Sequence, residues 1–179
     1  FQNNAHIYKE QIKVRISRLK KKTESIKDIP VICSQYQAEF LKWIGLKIIA
    51  TYGRSEELTI KQLIKLIKIG KENHVKAVID NLQSGVDFGA QVASQTGATH
   101  VVFTNFPGAI PGTDTYLDMI TYNTEQLIKG IQTYQYRQGD ISKLQKQVSS
   151  LELQRNIALL FTIVFVILTT ILFIMYKKK

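Results

Sequence analysis

Residues 97–127 read GATHVVFTNFPGAIPGTDTYLDMITYNTEQL. An apolar run over 100–103 gives way to a loop holding Asn105, Pro107, Gly108, Pro111 and Gly112, and a helical pattern opens at Thr113 with Tyr116, Met119 and Ile120 on one side. The stretch is strand, loop, helix. In an open parallel sheet, ligands are held by loops that leave the carboxyl ends of strands, so this loop is the first candidate for function.

The same alternation extends upstream. Pro30 ends a long, charged helical pattern over 5–27, whose narrow apolar stripe is Ile7, Ile12, Val14, Ile16 and Leu19. A short strand over 31–33 is followed by a helix over 35–44 with Phe40, Leu41 and Ile44 inward and Gly45 as its cap. A second strand over 46–52 leads through Gly53, Arg54, Ser55, Glu56 and Glu57 to Thr59, which caps a helix over 60–73 with Leu63, Ile64, Leu66 and Ile67 buried. A third strand over 75–80 runs into NLQSG, and a helix over 87–96 precedes the opening stretch. Strands alternating with helices of this length predict an α/β fold, a four-stranded parallel sheet with helices on both faces. Right-handed crossovers then gather CSQYQ, YGRSEE, DNLQSG and TNFPGAIPGT at one edge, where a ligand site is expected.

From Gln132 onward the chain turns polar, with Ile141, Leu144, Val148 and Leu151 spaced three, four and three apart. This short heptad seam is compatible with a lone helical stalk and with self-association as a coiled coil. Residues 157–176, IALLFTIVFVILTTILFIMY, carry no charge and match the roughly 20 residues needed to span a bilayer. Lys177, Lys178 and Lys179 follow and, outweighing Arg155 at the other end, mark the cytoplasmic side. The expected localisation is therefore the cell membrane, single-pass, with the bulk of the chain extracytoplasmic. The expected divisions are 1–28 linking helix, 29–132 α/β lobe, 133–156 stalk, 157–176 transmembrane helix and 177–179 basic tail. FQNNAHIYKE has neither an initiator Met nor an apolar core of the kind a signal peptide carries, so the sequence is expected to begin inside a longer precursor or to be a fragment.

The chain has 179 residues, 24 Lys and Arg against 14 Asp and Glu, and a formal charge of +10. The lysines fall on outer helix faces, as at Lys61, Lys65 and Lys68, without interleaved aromatics, which argues against nucleic acid as the partner. The single Cys33 forms no intramolecular disulfide and reads as a small buried hydrophobe. His74 and His100 fall at the sheet edge opposite the loops, where surface or packing roles are expected. No nucleophile and base pair, phosphate loop or metal-ligand cluster at diagnostic spacing is present, so an enzyme is not expected.

PVICSQYQAEFLKWIGLKIIATYG, LTIKQLIKLIKIGKENHVKAVIDNLQSG and TGATHVVFTNFPGAIPGTDTYLDMITYNTEQLIKGI, in that order after a long helix, resemble the linking helix and carboxyl-terminal lobe of the zinc/manganese ABC-transporter solute-binding proteins. The likeness covers roughly residues 5–131, and its most specific part is the Gly-Thr-x-Thr-Tyr loop entering a helix with Tyr122 and Asn123. It implies a two-lobed receptor that captures a divalent metal, zinc or manganese, as transported ligand and delivers it to an ABC transporter permease, with the first lobe absent from this chain. In the family the metal is held by two His from the first lobe, a His or Glu after the first strand of the second lobe and an Asp after its fourth. Those two second-lobe metal positions fall at Ser34 and Asn105, both neutral, with Cys33, Gln35 and Gln83 as neighbouring candidates for the cleft. Two readings stay open: these residues line a solute cleft, or they are remnants in a ligand-free structural or interaction module, a partner subunit of a surface complex.

Overall fold

The computed structural model describes residues 1–178; Lys179, the last residue of the basic tail, and the side chain of Ser55 lie outside what is described. The chain forms two compact units, Phe1–Gln135 and the remainder from Tyr136.

In the first unit the element order is α1 (Gln2–Thr23), β1 (Pro30–Ser34), α2 (Ala38–Ile44), β2 (Lys47–Tyr52), α3 (Ile60–Glu72), β3 (Ala77–Asn81), α4 (Asp87–Thr96), β4 (Thr99–Phe103) and the start of α5 (Tyr116–Lys177). All strand pairs are parallel and the sheet order is β2-β1-β3-β4. The chain winds outward from β1 in both directions, so the topological switch point lies between β1 and β3.

Because side chains alternate along each strand, the sheet has two apolar faces. On one, Val31, Cys33, Ile79, Val101 and Phe103 pack against Leu41 and Ile44 of α2 and Leu127 and Ile131 of α5. On the other, Ile32, Tyr52 and Val78 meet Leu66 of α3 and Phe88, Val92 and Ala93 of α4. The expected four-stranded parallel sheet with helices on both faces is thus observed. Helix α1 lies along α5: Leu19 is buried, Arg15 Nη1 donates to Thr121 Oγ1 at 2.8 Å and Lys22 Nζ donates to Glu125 Oε1 at 2.8 Å.

Local chemistry sets the ends of the elements. Gly45 ends α2 with φ +100°, a left-handed conformation that costs glycine nothing, and its N–H donates to the Leu41 and Lys42 carbonyls at 3.2 and 3.0 Å. Thr59 Oγ1 accepts from the Gln62 N–H at 3.3 Å while Gln62 Oε1 accepts from the Thr59 N–H at 2.8 Å, a capping box that opens α3.

Several expected bounds differ from those observed. The first helix ends at Thr23, in a 3₁₀ turn over Glu24–Ile26, and the segment after β1 opens as a 3₁₀ turn over Gln35–Gln37 before α2 begins. Val75 belongs to the closing turn of α3 rather than to β3: His74 takes φ +50° and the Val75 N–H donates back to the Gly70 carbonyl at 3.0 Å. Ile64, expected inside, is 62% exposed, because it lies beside the α3 stripe of Leu63, Leu66 and Gly70 that faces the sheet. The last helix begins at Tyr116, not Thr113. Thr113 is buried with its hydroxyl donating to the Ile110 carbonyl at 2.7 Å, and Thr115 caps the helix by accepting from the Asp118 N–H at 3.2 Å.

From Tyr136 to Lys177 the second unit is helical. Ile141, Leu144, Val148 and Leu151 are exposed, as are the apolar side chains of 157–176. By length and composition this helix is able to cross a membrane.

Candidate functional site

At the carboxyl edge of the sheet, the loops after β1, β3 and β4 are tied together by side-chain amides. Gln37, buried in the 3₁₀ turn after β1, donates through Nε2 to Asn105 Oδ1 at 2.8 Å. Gln83, after β3, accepts from the Asn105 N–H through Oε1 at 3.0 Å and donates through Nε2 to Thr104 Oγ1 at 3.0 Å. The β3 loop is shaped by Asn81, whose Oδ1 accepts from the Gln83 N–H at 3.0 Å and whose Nδ2 donates to Ser84 Oγ at 3.1 Å. Beneath the β4 loop, Asn123 of α5 clamps Thr104: its Oδ1 accepts from the Thr104 N–H at 3.1 Å and its Nδ2 donates to the Thr104 carbonyl at 2.8 Å.

Of the residues selected from sequence, Gln83 and Asn105 are therefore in direct contact. Ser34 ends β1, buried at 1% exposure, and its Oγ has no hydrogen-bond partner, an unsatisfied group of the kind that costs about 1–3 kcal/mol unless a water or ligand meets it. Gln35 is exposed and lies beside Gly53, the first residue after β2, where its side chain and Arg54 hold the Tyr36 hydroxyl below its ordinary range. Gln37 and Thr104 were not singled out from sequence. Their only signal there is polarity at the ends of apolar strands, which turn residues share.

A second polar group lies in the β3–β4 region. Asp80 is fully buried; its Oδ1 accepts from the Tyr52 hydroxyl at 2.6 Å and its Oδ2 lies within hydrogen-bond distance of His100 Nε2, at 2.6 Å. Burial, then the charge of Asp80, pushes the Tyr52 phenol well above its ordinary value. The packing role expected for His100 thus takes the form of partner to a buried carboxylate.

Residues 1–130 match the family described as Zinc-uptake complex component A, periplasmic (ZnuA). The chain belongs to this family. Solved structures share the fold of this ZnuA-family chain. The Mn-bound periplasmic metal binding protein from Candidatus Liberibacter asiaticus superposes with a TM-score of 0.60 at 18% identity, over 73% of this chain and 51% of that one. Its Cd-bound form gives 0.61 at 18% identity over the same shares. A mutant structure of the laminin-binding adhesin (Lmb) from Streptococcus agalactiae gives 0.60 at 20% identity, over 72% of this chain and 50% of the adhesin. The chain spans about half the length of these proteins. A comparison with curated protein sequences gave no match. ZnuA-family proteins are solute-binding proteins rather than enzymes.

The donors at the edge are oxygens and amides without charge, and among the described residues no group of three His, Cys, Asp or Glu is close enough to hold a metal ion. Carboxylate and imidazole supply most of the affinity of zinc and manganese sites, and the side chains joined at this edge carry neither.

Two expected outcomes follow from this geometry. Replacing Asn123 with alanine removes both bonds to the buried Thr104 backbone and should cost about 2 kcal/mol of stability, read from denaturant unfolding; a loss below about 0.5 kcal/mol would show that water replaces the clamp. Cys33, whose thiol burial pushes up from 9.0 to about 12, should react with a disulfide reagent only after unfolding. Since the unfolded thiol ionises first, stability should fall as pH rises above 9, by at most about 1.4 kcal/mol per unit, and Cys33→Ala should flatten that slope.

Proposed function

We propose that this chain is the membrane-tethered second half of an extracytoplasmic solute-binding component for a zinc/manganese-type ABC transporter. Its sheet edge forms one wall of a cleft, and the solute, a divalent metal, is closed in by a first lobe and handed to a permease. The observation that carries this reading is the lacework of Gln37, Gln83, Thr104 and Asn105 with the unpartnered Ser34 Oγ, at the switch point of the family's fold. The linking helix is assigned to 1–28, the lobe to 29–132 and the stalk to 133–156. Residues 157–176 form the membrane span, and the terminal lysines set its cytoplasmic end. Because Ser34 and Asn105 are neutral, the charge that neutralises the cation must come from the first lobe.

A second reading, a ligand-free interaction module on the same fold, is favoured by one observation: both ends of the Gln83 amide are already satisfied within the chain. Thermal unfolding of the full-length protein, with any residues that precede Phe1, separates the two. Zinc or manganese at about 100 times its dissociation constant should stabilise by about 2.7 kcal/mol. An unmoved midpoint with either metal, at a large excess over micromolar levels, supports the second reading. For the anchor, a Lys146→Cys variant in intact cells should be labelled by a membrane-impermeant maleimide and Lys178→Cys should not.

A further inference from the structure

We infer that the helix beyond Tyr136 is one strand of a parallel two-stranded coil, and that the partner is a second copy of this chain. Assigning Ile141 and Val148 to heptad position a places Leu144 and Leu151 at d. β-Branched residues at a with leucine at d select two parallel strands over three or four. All four side chains are uncovered, at 46, 54, 59 and 63% exposure for Ile141, Val148, Leu144 and Leu151, and with Leu153, which falls at f, they are the large apolar residues of an otherwise polar segment.

The rim of the seam fits a second copy in parallel register. The g-to-e contacts of such a pair set Asp140 against Gln145 and Gln147 against Glu152, a carboxylate facing an amide each time with no like charges opposed. Lys143 and Lys146 fall at c and f, away from the seam. The register then continues unbroken: Arg155 occupies the next a position, where a single cationic residue fixes register at some cost in stability, and Ala158, Thr162 and Thr169 occupy later d and a positions. Their hydroxyls are satisfied inside the helix, Thr162 Oγ1 donating to the Ala158 carbonyl at 2.9 Å and Thr169 Oγ1 to the Phe165 carbonyl at 3.0 Å. What these three present along the seam is therefore small bulk, which lets helices in lipid approach closely, with Phe165 the one large side chain at d between Thr162 and Thr169. Two heptads alone make a marginal coil. Anchoring both copies in one membrane with the same orientation raises their effective concentration and rules out the antiparallel pair; in this respect the inference rests on the membrane anchor proposed above.

The test is oxidative cross-linking, in membranes, of variants of the whole chain that each carry one introduced cysteine. The parent, whose Cys33 is buried, should give no product. Leu144→Cys and Leu151→Cys should give a product of twice the chain's mass, at least fivefold more than Lys143→Cys and Lys146→Cys. Equal yields at all four positions, no product at any, or a product of another mass would overturn the pairing. Carbonate extraction of the same samples tests the anchor separately. Periodic cross-links in a chain released to the supernatant would sink the anchor and keep the pair, whereas flat cross-linking in a retained chain would do the reverse.

Discussion

Replacing Asp80 with alanine is expected to cost about 4 kcal/mol of folding stability, the largest effect of any single substitution considered for this chain. The carboxylate is fully buried and serves two partners from different strands, the Tyr52 hydroxyl at 2.6 Å and His100 Nε2 at 2.6 Å. Alanine leaves both without an acceptor in a region walled by Phe88 and Val78, where an unpaired polar group is expensive. Asp80→Asn keeps an acceptor for Tyr52 and should cost about half as much. Denaturant unfolding of the three proteins side by side decides it; a loss below about 1 kcal/mol in the alanine variant would mean that the group is not a structural keystone.

Gly89→Ala should come second, at about 3 kcal/mol. Gly89 lies in α4 where the helix passes directly over the Asp80 carboxylate and the Tyr52 hydroxyl; a methyl group there would overlap both and sit 2.5 Å from Asp80 Cγ. Neither partner is a flexible chain end, since each is held by the other, so relief requires moving the helix off the sheet. A fall in the thermal midpoint of roughly 10 °C is expected for a domain of this size. The same change at Gly139, with nothing within 4 Å, is the control and should leave stability unchanged or slightly raised. If both variants unfold alike, close packing at Gly89 is not the cause.

The parallel sheet was legible because its strands are short apolar runs punctuated by Gly45, Gly53 and Gly97 and separated by amphipathic helices, signals local in sequence. The connections were less so. The placement of Val75 outside β3 depends on the positive φ of His74, and the late start of α5 depends on Thr115 outcompeting Thr113 as the cap. At the sheet edge, Gln83 and Asn105 could be selected because strand-end loops hold ligands. The partner that joins them to the β1 loop is Gln37 rather than Gln35, a choice made by the 3₁₀ turn. The Asp80 group was invisible for a different reason. Its three members lie 20 or more positions apart and meet only through strand pairing, Val78 beside His100 and Asp80 two residues on. The clue, in hindsight, was an aspartate within the otherwise apolar run AVID.

The claim that this sheet edge is one wall of a metal cleft is tested most directly by metal content. The full-length protein and its Asn105→Leu variant, each dialysed against zinc or manganese and assayed for bound metal, should differ. The parent should retain one ion per chain, and the variant, which loses the side-chain oxygen that accepts from Gln37 and keeps only the backbone N–H to Gln83, should retain at least tenfold less at the same free metal. No metal in the parent, or equal metal in both while the variant remains folded, would contradict the account.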